Sequence, residues 1–254
     1  MRKKIIKIYK RIRYLISINW IKTIYFNFRL LPYKQARKIP FFIYKRVKFH
    51  FENGKVIINS NVYRGMIKIG YSLELFKINM NPVEFSIKGT ININGGFIVG
   101  CGSKIIICKD AILDIGENSY IGSNSKIIVT NKVFMGAYTR ISYETQIMDS
   151  NFHYLLDIEK KIVSNIKGCV EINDYCWIGN RSSIMKGTKT PEHCIITSNS
   201  LLNKDYKAIV PPCSIIGGIP AKLIKTGFIR FYGDKEIALT SYFEKNNSDY
   251  HYDI

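Results

Sequence analysis

From Ile115 to Leu202 the chain places an aliphatic residue at every sixth position and a Ser, Thr or Cys four places after it. The aliphatic rungs are Ile115, Ile121, Ile127, Met135, Ile141 and Ile147, and after a break Ile172, Ile178, Ile184, Thr190, Ile196 and Leu202. The small rungs are Ser119, Ser125, Thr139, Thr145, Cys176, Ser182, Thr188, Cys194 and Ser200. A helix repeats every 3.6 residues and a half-buried strand every 2, so neither alone produces this spacing. Six is three strand steps: a short strand with two inward positions, then a bend. A chain coiled as a three-sided prism buries one aliphatic rung per side and leaves a narrow inward position near each corner for Ser, Thr or Cys. Hexapeptide periodicity of this kind marks parallel β-helices, whose coils pair one on the next. Glycines after the rung (Gly116, Gly122, Gly136, Gly179) are expected to supply unusual backbone angles at the bends.

The pattern divides the chain into three regions. Residues 1–54 read as a helical and loop-like segment, with Pro32 and Pro40 as breaks. Residues 55–225 form the prism, irregular at first and regular later. Residues 226–254 suggest a short helix and a polar tail. Two steps depart from six. Ile127 to Met135 is eight, which predicts a small bulge, and Ile147 to Ile172 is 25, so residues 154–167 leave the prism as a loop. The fold class is therefore all-β dominated, a parallel β-helix with a helical segment at each end.

At 254 residues and 46% hydrophobic content the chain can bury a sizeable core. It has no uninterrupted apolar span of about 18 residues. Its start, MRKK, continues with Lys7, Lys10, Arg11 and Arg13 among apolar residues, where a cleavable signal needs an unbroken apolar stretch. A cytoplasmic location is expected. The balance of 38 basic to 19 acidic residues gives a formal charge of +19. Basic residues alternate with Ile5, Ile8, Ile12, Leu15, Ile16, Trp20 and Ile24, so residues 1–25 can form a helix with an apolar face and basic flanks, suited either to an anionic membrane surface or to packing on the first coil or on a neighbouring subunit. The charge follows no nucleic-acid-binding pattern, and nucleic acid is not an expected partner.

Cys176 and Cys194 fall on interior rungs, and with no CxxC pair among the six cysteines a cysteine zinc site is not expected. With only His153 and His193 in the coils, the three-histidine metal site of a γ-type carbonic anhydrase is not met, and no metal is expected. Of the four histidines, His153 is singled out by position. It stands on the rung after Ile147, where the loop begins, with Asp149 and Asn151 beside it. Loops that leave repeat scaffolds commonly carry function.

Together with these coils, D-S-N-F-H at 149–153, C-W-I-G at 176–179 and G-G-I-P-A-K at 217–222 resemble the left-handed β-helix acyltransferases, most of all bacterial O-acetyltransferases of capsule and O-antigen pathways. The resemblance implies a left-handed coil, a homotrimer with active sites between neighbouring prisms, and acetyl-CoA as co-substrate lying along the coils. It implies a sugar hydroxyl of a surface polysaccharide or of its lipid-linked precursor as acceptor. A hydroxyl needs a base as it attacks a thioester, and histidine suits that task near neutral pH. His153 is assigned as base, with Asp149 or a backbone carbonyl orienting its ring and Asn151 towards the acceptor. Trp177, Asn180, Ser198, Asn203, Lys204, Lys222 and Lys225 match the family's cofactor contacts; N-K-D-Y-K-A-I-V-P-P carries three residues more than the family pattern after Lys204. N-acetylation of a nucleotide-linked amino sugar and a noncatalytic scaffold are the alternatives.

Overall fold

The structure is a computed structural model that describes residues 9, 14–44, 46–71, 73–74, 81–246 and 248–252. The six-residue period folds as expected: successive coils stack into three flat parallel sheets. The first coil is β1 (Phe41–Ile43), β2 (Val47–Phe51) and β3 (Lys55–Ile58), and the second is β4 (Ile67–Ile69), β5 (Val83–Ile87) and β6 (Thr90–Ile93). The third is β7 (Phe97–Val99), β8 (Lys104–Ile107) and β9 (Ile112–Ile115), and the fourth β10 (Ser119–Ile121), β11 (Lys126–Val129) and β12 (Lys132–Met135). In the fifth, β13 (Arg140–Ile141) and β14 (Gln146–Met148) precede an excursion made of the antiparallel pair β15 (Leu156–Asp157) and β16 (Ile162–Val163), and β17 (Cys169–Ile172) closes the coil. Two shorter coils follow, with β18 (Trp177–Ile178) and β19 (Ser183–Ile184), then β20 (Ile195–Ile196) and β21 (Leu201–Leu202); β22 (Ser214–Gly218) starts another turn and folds back as β23 (Ala221–Thr226). Sheet I runs β1-β4-β7-β10-β13-β18-β20-β22-β23, sheet II β2-β5-β8-β11-β14-β19-β21, and sheet III β3-β6-β9-β12-β17.

Every aliphatic rung named from the sequence is 0 or 1% exposed. Burying each Ile or Leu side chain is worth about 1.5–3 kcal/mol, so the stack itself is the dominant stabilising element. The small rungs are equally buried, and their chemistry matters as well as their size. Ser119 Oγ donates to the Gly136 carbonyl at 3.0 Å, Ser125 Oγ to Ser142 at 3.2 Å, Ser182 Oγ to Thr197 at 3.2 Å and Thr188 Oγ1 to Leu202 at 2.9 Å. Each hydroxyl finds its own partner on a carbonyl of the next coil, so a polar group at these narrow inward positions is buried without being left unpaired.

The glycines act differently from expectation. Positive φ falls instead on Asn118 and Asn124, Tyr138 and Glu144, Tyr175 and Arg181, and His193 and Asn199, each pair six residues apart. Gly116 is required by close approach: a Cβ there would stand 2.3 Å from the Ala137 backbone nitrogen, and at Gly179 2.4 Å from that of Ser198. At these two positions the chain touches the next coil's backbone, and a side chain would not fit.

The prism also begins earlier than residue 55. β1 and β2 are already its first two sides, so part of residues 1–54 belongs to it. The helix α1 (Trp20–Leu30), capped by Asn19, lies on β1. Its Thr23 Oγ1 accepts from the Ile43 N–H at 3.0 Å, and Asn27 both accepts from the Phe41 N–H at 3.0 Å and donates to the Phe41 carbonyl at 2.9 Å. An edge strand is thereby capped by side chains instead of being left open to another chain. From Trp20 onward the helical segment is thus a packing element, while Lys3, Lys4, Lys7, Lys10, Arg11 and Arg13 lie outside the described residues. A short helix α2 (Tyr33–Ala36) follows, and α3 (Asp234–Phe243) stands near the C-terminal end, as the pattern at 226–254 suggested.

Candidate active site

The excursion leaves at the corner between sheets II and III. Its neck is held by a bridge between Ser150 and Lys167, by the Asn151 N–H donating to Ile166 at 3.0 Å and by the Gly168 N–H donating to Asp149 at 2.8 Å. Beyond the neck, His153 is exposed and Asn151 beside it is exposed too, at the root of a hairpin whose Tyr154, Leu155, Leu156, Ile158, Ile162 and Val163 all face outward. The imidazole therefore projects from the prism and is not on an interior rung. The inward position belongs to Asp149, which follows Val129 in the sheet II column and is 0% exposed.

This burial gives the Asp149 carboxylate partners of its own. The Asp149 carboxylate accepts from the Thr130 N–H at 2.8 Å, the Thr130 hydroxyl at 2.8 Å and the Asn131 N–H at 2.7 Å. Those bonds fasten the widened corner between β11 and β12, the eight-residue step of the sequence. Asp149 thus faces inward, with its carboxylate engaged at the turn.

Most of the remaining candidates lie on sheet I and the corner that follows it. Trp177 on β18, 38% exposed, points outward, and its indole N–H donates to Ser142 Oγ at 3.2 Å. The outward column continues through Ile195 and Ile215 to Lys225. Three strand steps of about 4.8 Å separate Trp177 from Lys225, about 14 Å along one face. At the corner, Ser198 Oγ donates to Asn180 Oδ1 at 2.6 Å. Lys222 and Lys225 on β23 are exposed, and neither pairs with a carboxylate among the described residues. Asn203 and Lys204 sit elsewhere, after β21 at the corner between sheets II and III; the longer turn buries Tyr206, whose hydroxyl donates to Ala221 at 3.2 Å, and Lys204 Nζ rests 5.5 Å from its ring. Within one chain, then, Trp177, Asn180, Ser198 and Lys225 are gathered at sheet I, whereas His153 projects from the opposite corner.

Two arginines beside Trp177 were not legible in the sequence. Arg140 is its register partner one coil below, and Arg230 lies 5.5 Å from the indole ring. Both also face Tyr232, at 6.0 and 5.3 Å from its ring. Burial, and then the neighbouring Arg230, push the Arg140 guanidinium below its usual range, and burial pushes the Tyr232 phenol up to about 12. Arg230 and Tyr232 come from the segment after the last coil, which no period foretells.

The buried thiols are inert by environment. Burial pushes Cys176 up to about 11, with Thr190 hydroxyl contact at 3.3 Å, and raises Cys194 further, so neither is a nucleophile at neutral pH.

No family model matches the chain. It is 30% identical over 161 residues to the polysialic acid O-acetyltransferase of Escherichia coli O1:K1, a match covering 63% of this chain and 48% of that protein. It is 26% identical over 207 residues to a 24.8 kDa protein from the cps region of Klebsiella pneumoniae, covering 78% and 84%. Among solved structures, the polySia specific acetyltransferase NeuO superposes with a TM-score of 0.56 at 22% identity, over 80% of this chain and 93% of that one. The chain spans about half the length of the E. coli relative. In sequence the chain is similar to a polysialic acid O-acetyltransferase over about half of that protein's length, and in fold it is a left-handed parallel β-helix.

Proposed function

We propose that this protein is an O-acetyltransferase that moves the acetyl group of acetyl-CoA to a sugar hydroxyl of a bacterial surface polysaccharide or its lipid-linked precursor. The observation that carries this reading is the division of the candidates between sheet I and the opposite corner. A base on a protruding loop and a tryptophan with an adjoining lysine face are of use to one reaction only if two copies meet. A homotrimer of parallel prisms brings the His153 loop of one subunit to the sheet I side of the next. The names of the relatives support the acyl group and the carbohydrate acceptor.

Acetyl-CoA carries a pyrophosphate and a 3′-phosphate, and the exposed amines of Lys222 and Lys225 suit those charges. Asn180 and Ser198 offer polar contacts along the same face, and Trp177 an apolar wall for the thioester arm. His153 takes the proton of the acceptor hydroxyl as that oxygen bonds to the thioester carbon. The carbon–sulfur bond then breaks, and the imidazolium returns the proton to the departing CoA sulfur. General-base help of this kind is worth about 10² to 10⁴ in rate. Asn151, at the loop root beside His153, stands towards the acceptor. Lys204 and Asn203, at the His153 corner, face the neighbouring copy's cofactor in such a trimer.

Among the described residues no helix is long and apolar enough to cross a membrane. The exposed Leu15, Ile16, Ile21, Ile24, Tyr25 and Phe28 form an apolar surface, and the sequence before them is basic, a combination suited to anionic lipid, where a lipid-linked acceptor would reside. The experiment that tests the function is mass spectrometry of candidate glycans incubated with the protein and acetyl-CoA. An added mass of one acetyl group supports it; intact glycans across the panel with no CoA binding favour a noncatalytic scaffold.

A further inference from the structure

Below Trp177, the outer face of sheet I opens into a groove of about 730 Å³ that none of the assigned residues uses. Tyr63, Tyr120 and Tyr138 line it with Lys68, Glu117 and Arg140. We propose that this groove binds the acceptor, and that its ligand is a glycan bearing an anionic group, which Arg140 receives. The proposal rests on the reading of the protein as a sugar acetyltransferase and names the acceptor class for it.

Three observations carry it. First, position: Arg140 closes the end of the groove nearest the expected thioester, since it is paired in register with Trp177. A chain of sugars lying along the groove would end at the reacting carbon while CoA occupies the coils above. Second, charge: Arg140 and Arg230 stand over one phenol ring, and Glu236 pairs with Arg230 at 3.2 Å, while of the carboxylates bordering the groove Glu74 is held by the Tyr120 hydroxyl and by Ser123, and Glu117 makes no ion pair with Arg140. Arg140 has no carboxylate partner among the described residues; it donates to the Asn118 carbonyl. Two partly buried like charges share less than their complement of counter-charge, a situation an incoming anion relieves. At the other end, Lys68 Nζ rests 5.0 Å from the Tyr71 ring and 5.8 Å from the Tyr14 ring, again without a carboxylate among the described residues. Third, surface: phenol rings facing the groove offer flat apolar platforms for sugar C–H faces, with polar edges for hydroxyls. The Tyr120 hydroxyl is fixed by donating to Glu74 at 2.8 Å.

Binding is measured by calorimetry without acetyl-CoA, using an oligosialic acid, an oligogalacturonate, a neutral dextran oligomer of equal length, inorganic phosphate and adenosine 3′,5′-bisphosphate. The acidic oligomers are expected to bind at least about tenfold more tightly than dextran, and Arg140→Ala to erase that difference while leaving the bisphosphate unaffected. Because Arg140 also bonds Asn118, Tyr63→Ala serves as a second variant; Tyr63 is 59% exposed, and its removal should weaken every oligosaccharide without touching the fold. Equal binding of neutral and acidic oligomers overturns the proposal. So does an Arg140→Ala protein that loses the bisphosphate or inorganic phosphate instead, which would give this guanidinium to the cofactor or to a free phosphate. If acidic oligomers bind as expected but no acetyl group is ever transferred, the groove stands and the acetyltransferase reading falls; transfer to neutral acceptors alone does the reverse.

Discussion

The carboxylate of Asp149 accepts the Thr130 N–H at 2.8 Å, fastening one coil to the corner of the coil before it. The same carboxylate takes the Thr130 hydroxyl and the Asn131 N–H. Asp149→Ala leaves these donors buried without partners, at about 1–3 kcal/mol for each. Denaturant unfolding should show a loss of several kcal/mol, while activity per folded molecule stays within a few-fold of the parent. A variant of unchanged stability but lost activity would place Asp149 in the catalytic machinery.

Trp177 and Lys222 act on binding that the ground and transition states share. Trp177→Ala and Lys222→Ala should each raise the Kd for acetyl-CoA by about tenfold while kcat at saturation changes little. Calorimetry showing parent-like affinity in both would remove sheet I from the cofactor site.

The buried thiols give a pH prediction. Cys176 is raised in the folded state from 9.0 to about 11, and Cys194 is raised as well, in both cases first by burial. Between those values the unfolded chain has released protons that the folded chain keeps, so stability falls as pH rises. The stabilisation is complete below pH 9 and is lost through pH 11. Cys194→Ala and Cys176→Ala should flatten the stability curve over that window relative to the parent; parallel curves would contradict the burial argument.

Vesicle binding separates the two ends of the basic segment. Full-length protein should bind anionic vesicles and release them at 1 M salt, where charge reaches only about 3 Å. Deleting residues 1–13 should abolish binding and leave the coils folded, since α1 and its Thr23 and Asn27 contacts with β1 remain. Undiminished vesicle binding by the truncated protein would assign the contact to the outer face of α1 instead.

Legibility in the sequence followed the period. The rungs from Ile115 to Leu202, the 154–167 excursion and the fold class were readable because stacked coils impose one spacing on every side. The first coil was not. Phe41–Ile43 is buried on both faces, since α1 covers its outer side, so the alternation that marks a strand is erased. The second coil carries a long insertion between Ile69 and Val83 that hides its step. At the candidate site, Trp177, Asn180 and Ser198 stand out only through the family resemblance, and the structure gathers them on and beside sheet I. Arg140 was not legible, because its pairing with Trp177 spans the excursion, and the inward role of Asp149 depends on Thr130 and Asn131, one coil earlier.

The most direct measurement is acetyl transfer by the parent and by His153→Ala, followed by mass spectrometry on the glycan panel. His153 is exposed and makes no rung contact, so the variant should retain its thermal midpoint and its acetyl-CoA affinity. Its kcat should fall by about 10² to 10⁴. A His153→Ala protein that acetylates glycans at the parent rate would contradict the assignment of the base.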